Sequence, residues 1–190
     1  MAKILFYDLE TTGTMYWKNG IHQLSGMVDI DGVVKETFNI KMQPNPNAVI
    51  SDEALKIANV TREDIAGYGT GMIQGYEQFI KMLGKYVGKF DKKDKFHLCG
   101  FRNSGFDDPF MNAWFKQCGD NYFFSWFWGN SLDVSAMASE KFKDERSKMP
   151  DFKLKTVAAK LGLEVDPKKL HDAMYDIELT RESYYRLCKM

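Results

Sequence analysis

Two carboxylates, Asp8 and Glu10, close the run Lys3-Ile4-Leu5-Phe6-Tyr7-Asp8-Leu9-Glu10-Thr11-Thr12-Gly13. In an extended strand, residues two apart share a face and lie roughly 7 Å apart along the chain. A buried apolar strand gains nothing from two neighbouring acids, because like charges repel and each loses hydration. A divalent cation between them would remove both costs. The plainer alternative is a strand end where both acids reach water. Further acids, Asp107 and Asp108, follow Asn103-Ser104-Gly105-Phe106 and precede Pro109, which suits a first helical turn. At least one of that pair has an ordinary role at a helix N-terminus. The third cluster is His171-Asp172-Ala173-Met174-Tyr175-Asp176. In a continuous helix His171 and Asp176 would stand ~140° apart. They converge only if His171 sits in a loop before the helix, which Pro167-Lys168-Lys169 supports. Asp176 would then ligate a metal with His171 beside it as a base; taken alone, His171 is an ordinary residue of a helix start.

The elements that must position these groups are legible from periodicity and turn chemistry. Residues 3–11 read as a buried strand. Residues 22–30 and 33–42 read as two more, joined by Asp31-Gly32, a type I′ hairpin signal. Together they form an antiparallel meander. The loop between the first two strands carries Tyr16 and Trp17, which either stack on a base beside the site or cover the edge of the core. Ser51 and Thr61 are N-cap residues for short helices. Gly67, Gly69, Gly71 and Gly75 lack the Lys-Ser/Thr of a phosphate-binding loop and read as a flexible connection. Helices are predicted over 74–87, 109–118, 131–142, 154–161 and 172–187, with a short buried strand over 96–101. The aromatic stretch 121–128 reads as a strand or buried loop, and 143–150 as a polar, mobile loop. A meander followed by helix–strand alternation indicates an α/β protein with a mixed sheet, in a single domain over residues 1–190.

Hydrophobic residues make up 44% of the 190-residue chain, enough for a substantial core, and the formal net charge is zero. Zero charge argues against a nucleic-acid binder that works by bulk positive charge, but not against a nuclease whose metals supply the local field. Cys99, Cys118 and Cys188 have no metal-ligand spacing and read as reduced thiols of an intracellular protein. No apolar run reaches the ~20 residues of a membrane span. The chain enters its first strand at once and ends soon after its last helix, so the expectation is a stand-alone cytoplasmic enzyme with no signal peptide and no docking tail.

The three clusters, in this order and at these separations, resemble the DEDD superfamily of 3′→5′ exonucleases, in the subfamily with a histidine in its third motif. That subfamily includes epsilon-type proofreading exonucleases, oligoribonucleases and ribonuclease T. The tyrosine form would place tyrosine at position 172, which is aspartate here. The resemblance covers residues 4–184. It implies a ribonuclease H-like exonuclease fold, a mixed five-stranded sheet flanked by helices with the first three strands antiparallel. It implies Asp8, Glu10, Asp107 and Asp176 as ligands of two divalent cations, Mg²⁺ or Mn²⁺, ~4 Å apart, with Asp8 bridging and His171 as general base. Leu9, Thr11, Thr12, Asn103 and Phe106 are the implied substrate contacts, with the hydroxyl and backbone groups of the two threonines meeting the terminal nucleotide. The implied reaction releases nucleoside 5′-monophosphates from the 3′ end of a single-stranded nucleic acid, DNA favoured over RNA, in a bacterial or phage setting with replication or repair partners. Two positions depart from the pattern: Arg102 stands where histidine is frequent, and Leu24 where glutamate is. The competing readings are a ribonuclease H-like endonuclease, a non-catalytic module that binds a 3′ end, and an interaction protein working through its aromatic stretch.

Overall fold

A computed structural model describes residues 2–170 and 172–190. Among these, five strands form one sheet in the order β3-β2-β1-β4-β5. Strands β1 (Lys3–Thr11), β2 (Ile21–Ile30) and β3 (Val33–Lys41) make the antiparallel meander. Its hairpin is the expected one, with Asp31 at φ 53° and Gly32 at φ 82°, the left-handed pair a type I′ turn requires. Three helices follow, α1 (Asp52–Ile57), α2 (Arg62–Ala66) and α3 (Met72–Leu83). Strand β4 (His97–Gly100) then lies parallel to β1. Next come α4 (Asp107–Gln117), α5 (Phe123–Trp126), the short strand β5 (Leu132–Asp133), and the helices α6 (Val134–Lys141), α7 (Leu154–Lys160) and α8 (Ala173–Cys188).

Side-chain alternation along β1 explains the layering. Leu5, Tyr7 and Leu9 join a core with Phe79 of α3 and Met111, Trp114 and Phe115 of α4. Ile4 and Phe6 enter a second core with Val134, Val157, Ile177 and Leu187 of α6, α7 and α8. Asp8 and Glu10 continue the Ile4–Phe6 parity, so they emerge on the α8 side just where the apolar contacts stop.

Several boundaries differ from the sequence reading, among them α3, which runs over Met72–Leu83 rather than 74–87 and takes Gly71 as its N-cap and Gly75 into its buried face. The stretch 121–128 is no strand: Phe123 and Phe127 sit one helical turn apart, 4.8 Å between ring centroids, and both pack on Phe115. That aromatic packing favours a short helix over extension. The fifth strand is instead Leu132–Asp133, paired with Cys99 and Gly100, and Asp133 caps α6 through the amides of Ser135 and Ala136. Helix α4 begins at Asp107, two residues before Pro109. The polar segment Lys143–Lys148 winds as a 3₁₀ helix.

One buried ion pair ties the meander to α8. Asp29 of β2 is fully buried and accepts from Arg181 Nε (2.8 Å), Tyr185 Oη (2.9 Å) and the Gly32 amide (2.7 Å). Replacing Asp29 by Ala leaves Arg181 with only Gly32 O and the exposed Glu182 carboxylate, and strips Tyr185 Oη and the Gly32 amide of their acceptor. Asp29→Ala is therefore expected to lose about 3–5 kcal/mol in urea unfolding; a loss under about 1 kcal/mol would show the pair to be incidental.

Candidate active site

The end of β1 is irregular where the acids stand. Glu10 pairs with Gln23 but Thr11 pairs with Ile21, so His22 is an extra residue on β2, a bulge beside the candidate site. His22 is turned fully inward, and its burial holds the imidazole down to about 4, neutral at physiological pH. The loop beyond is fastened by Thr12. Its amide donates to Gly20 O (2.8 Å), its carbonyl accepts from the Ser51 amide (2.8 Å), and its hydroxyl donates to Val49 O (2.8 Å) while accepting from the Gly20 amide (3.0 Å). Thr11 donates its hydroxyl to Gly13 O (2.7 Å). Both threonine hydroxyls are thus engaged within the protein, where they help to build the loop, and Thr12 is fully buried.

The second cluster divides its two aspartates cleanly. Gly100 ends β4, and a Cβ there would meet Asn103 Cβ at 2.7 Å and Tyr7 O at 3.3 Å, so the glycine lets the next turn fold back onto β1. Asn103 and Gly105 bound a 3₁₀ turn that delivers the start of α4 to the end of β1. Asp108 is a structural hub. It accepts from Tyr7 Oη, Ser131 Oγ and Asn103 Nδ2, the last at 3.1 Å. Burial first, and then the neighbouring carboxylate of Asp108, push the Tyr7 phenol well above its usual range. Asp107 is buried and lies within electrostatic reach of Asp8 and Glu10. Phe106 is half-buried and packs on Phe110 with ring centroids 5.1 Å apart.

The third cluster completes the approach. Asp172 is the N-cap of α8 and accepts from the Tyr175 amide (3.0 Å). One turn on, Asp176 shares with Asp8 a cavity of about 180 Å³ closed by Phe101, Leu154, Ile177 and Thr180. Glu10 borders a second cavity of about 250 Å³ with Gln23, Asn39, Lys41 and Asp172. His171, the expected base, lies outside the described residues. The departures are explained in part: Leu24 is a core residue, and Arg102 braces the loop before α7 by donating to Phe152 O (3.3 Å). Sequence reasoning missed the roles of Tyr7 and Ser131. Tyr7 at least carried a signal, a hydroxyl on the core parity of β1.

Electrostatics show how close the acids are. Burial drives the Asp8 carboxyl well above the usual range, and Asp107, Glu10 and Asp176 each drive it further. Asp107 is pushed up to about 7, by burial first, then by Asp108 and Glu10, while the Leu9 amide acts in the opposite direction. A central carboxylate whose proton is held by burial and by three other acids within electrostatic reach is one that a bound cation would stabilise. The donors are oxygen only, the set that suits hard divalent cations rather than zinc. Among the described residues no three such side chains form a ready-made ligand cluster. The residues therefore fit cations by donor type and by the repulsion that cations would relieve.

A family model described as exonuclease, RNase_T, matches residues 5–184. The fold is shared with solved structures of Escherichia coli exonuclease I. The zinc-bound form in complex with single-stranded DNA has a TM-score of 0.77 at 20% identity and covers 100% of this chain and 40% of that one. The complex with a dT13 oligonucleotide has a TM-score of 0.76 at 20% identity, covering 100% and 41%. The metal-free form has a TM-score of 0.75 at 19% identity, covering 100% and 40%. The chain thus spans about two fifths of the length of the proteins it matches in fold. No curated protein matches it by sequence.

The raised carboxyls set a pH dependence. Asp8 and Asp107 hold their protons in the folded state at pH values where the unfolded chain has released them. Their contribution is thus most favourable below the unfolded value near 4 and is lost as pH rises toward about 7, unless cations take the protons' place. The melting-temperature difference between Mn²⁺-loaded and EDTA-treated protein is expected to widen from pH 5 to pH 8. At ~100-fold excess over Kd it should reach about 2.7 kcal/mol, about 5–10 °C for this chain length. A difference that is absent, or flat with pH, would contradict the assignment.

Proposed function

This chain belongs to the exonuclease family, and on that premise we propose that it hydrolyses single-stranded nucleic acid from the 3′ end, releasing nucleoside 5′-monophosphates, with DNA the favoured substrate. The observation that carries the reading is that Asp176 shares a cavity with Asp8 while Glu10, Asp107 and Asp176, from three segments distant in sequence, all lie within electrostatic reach of Asp8. That E. coli exonuclease I was solved with single-stranded DNA supports DNA over RNA.

Asp8, Glu10, Asp107 and Asp176 hold two divalent cations in this reading, Mg²⁺ or Mn²⁺, with Asp8 central. When bound, the cations lower the pKa of an attacking water and stabilise the departing 3′ oxygen. The chain's own work is positioning. The bulge beyond Glu10 and the loop fastened by Thr12 fix the end of β1. Asn103 and Tyr7 hold Asp108, which seats the first turn of α4 and with it Asp107. Rigid attachment of the four acids to three separate elements, β1, α4 and α8, keeps them close despite their repulsion. His171, five residues before Asp176, is the proposed base that takes the proton of the attacking water. Half-buried Phe106, which precedes Asp107, is a proposed base contact, and the backbone of Leu9, between Asp8 and Glu10 on β1, is a proposed substrate contact.

The test is degradation of 3′- and 5′-labelled single-stranded DNA and RNA, with a circular single strand as control. The expected result is Mg²⁺- or Mn²⁺-dependent mononucleotide release from linear strands, none in EDTA and none from the circle. Cleavage of the circle would replace the exonuclease with an endonuclease. His171→Ala should lower turnover on the order of 10²-fold or more while the metal-induced gain in melting temperature survives; wild-type turnover would overturn the base assignment.

A further inference from the structure

Beside the site, a cavity of about 750 Å³ runs along α4, between Pro109, Ala113 and Lys116 on one wall and Phe124 and Trp128 on the other, with Tyr16 and Trp17 at its rim. Trp17 is 69% exposed and Phe124 54%, an arrangement that core packing does not require. Neither the carboxylate cluster nor its supports use these rings. We propose that this groove is a stacking track for the stretch of single strand just upstream of the terminal nucleotide; the proposal rests on the exonuclease reading and adds to it where the rest of the strand is held.

Three observations select that occupant. The first is continuity: the inner end of the groove is lined by Ser104 and Asp108, and Asp108 is the residue next to Asp107. The rim residues Tyr16 and Trp17 belong to the loop that leaves β1 just past Glu10 and Thr11, so the groove adjoins the carboxylate site through both the start of α4 and the end of β1. The second is charge. The Asp108 carboxylate, the acid within the groove lining, is already engaged by Tyr7, Asn103 and Ser131. Lys116 lines the wall, and Lys95 stands 5.4 Å from the Trp128 ring centroid while donating to Phe124 O (2.6 Å). Lys95 thus braces both aromatic residues of that wall and adds positive charge behind them. The third is the zero net charge of the chain. Such a protein holds a polyanion weakly through counterion release, so affinity for a long strand must come from base stacking, which tolerates any sequence.

The consequence is that affinity grows with strand length through Trp17 and Phe124, with a shallow salt dependence. The test compares wild type with Trp17→Ala/Phe124→Ala on a thymidine dinucleotide and on a dodecanucleotide of the same base. For the dodecanucleotide the double variant should raise KM on the order of 10- to 100-fold with kcat unchanged. On the dinucleotide both constants should stay at wild-type values. In EDTA, where nothing is hydrolysed, the dodecanucleotide should quench tryptophan fluorescence of the wild type and lose most of its affinity for the double variant. Equal KM for both lengths in the wild type, or a variant that keeps the wild-type length dependence, would overturn the track. If no hydrolysis occurs in Mg²⁺ or Mn²⁺, the exonuclease reading fails, and the EDTA binding comparison still decides whether the groove takes a single strand.

Discussion

Repulsion among carboxylates at the end of a buried strand is the constraint around which the molecule is arranged. Asp8 and Glu10 leave the apolar core on the side of α8, and the fold brings Asp107 and Asp176 toward them rather than away. Left to themselves, such groups separate or keep protons, and the raised carboxyls of Asp8 and Asp107 are that second response. The closeness persists because each acid rides on an element anchored elsewhere. Asp176 is on α8, which is pinned to the meander through Arg181, Tyr185 and Asp29. Asp107 is in the first turn of α4, which is pinned to β1 through Asp108 and Tyr7.

The two adjacent aspartates illustrate how one sequence position can stabilise and its neighbour can function. Asp108 takes three donors and secures local structure. Asp107 accepts the cost of crowding. A side chain that is fully engaged in hydrogen bonds holds its place without a ligand, whereas a side chain crowded by like charge gains stability from one. The same division separates Thr12, whose amide, carbonyl and hydroxyl are all bonded to Gly20, Val49 and Ser51, from Glu10, which borders an open cavity.

Much of this was legible before the structure. The β1 alternation, the Asp31-Gly32 turn and the order of the acidic clusters give the sheet and three corners of the site, because strand periodicity and turn chemistry are local. What was hidden was long-range. Residues 121–128 look extended by β-propensity alone, but the Phe123 and Phe127 rings meet on Phe115, which selects a helical turn. Leu132–Asp133 is too short a strand to show any period, and it forms only because β4 offers an edge. The place of the Thr12 hydroxyl in the loop could not be read locally because its partners, Val49 and Gly20, lie in other segments. The role of His171 still rests on its place in the sequence.

The most direct test of the four-acid centre is a count of bound ions. Titration calorimetry with Mn²⁺ at pH 8 should give two ions per chain for the wild type and none of comparable affinity for Asp8→Asn, a change that keeps the side chain's size and removes its charge. A wild type that binds no Mn²⁺, or an Asp8→Asn protein that binds it as the wild type does, would contradict the view that these carboxylates are gathered to hold metal.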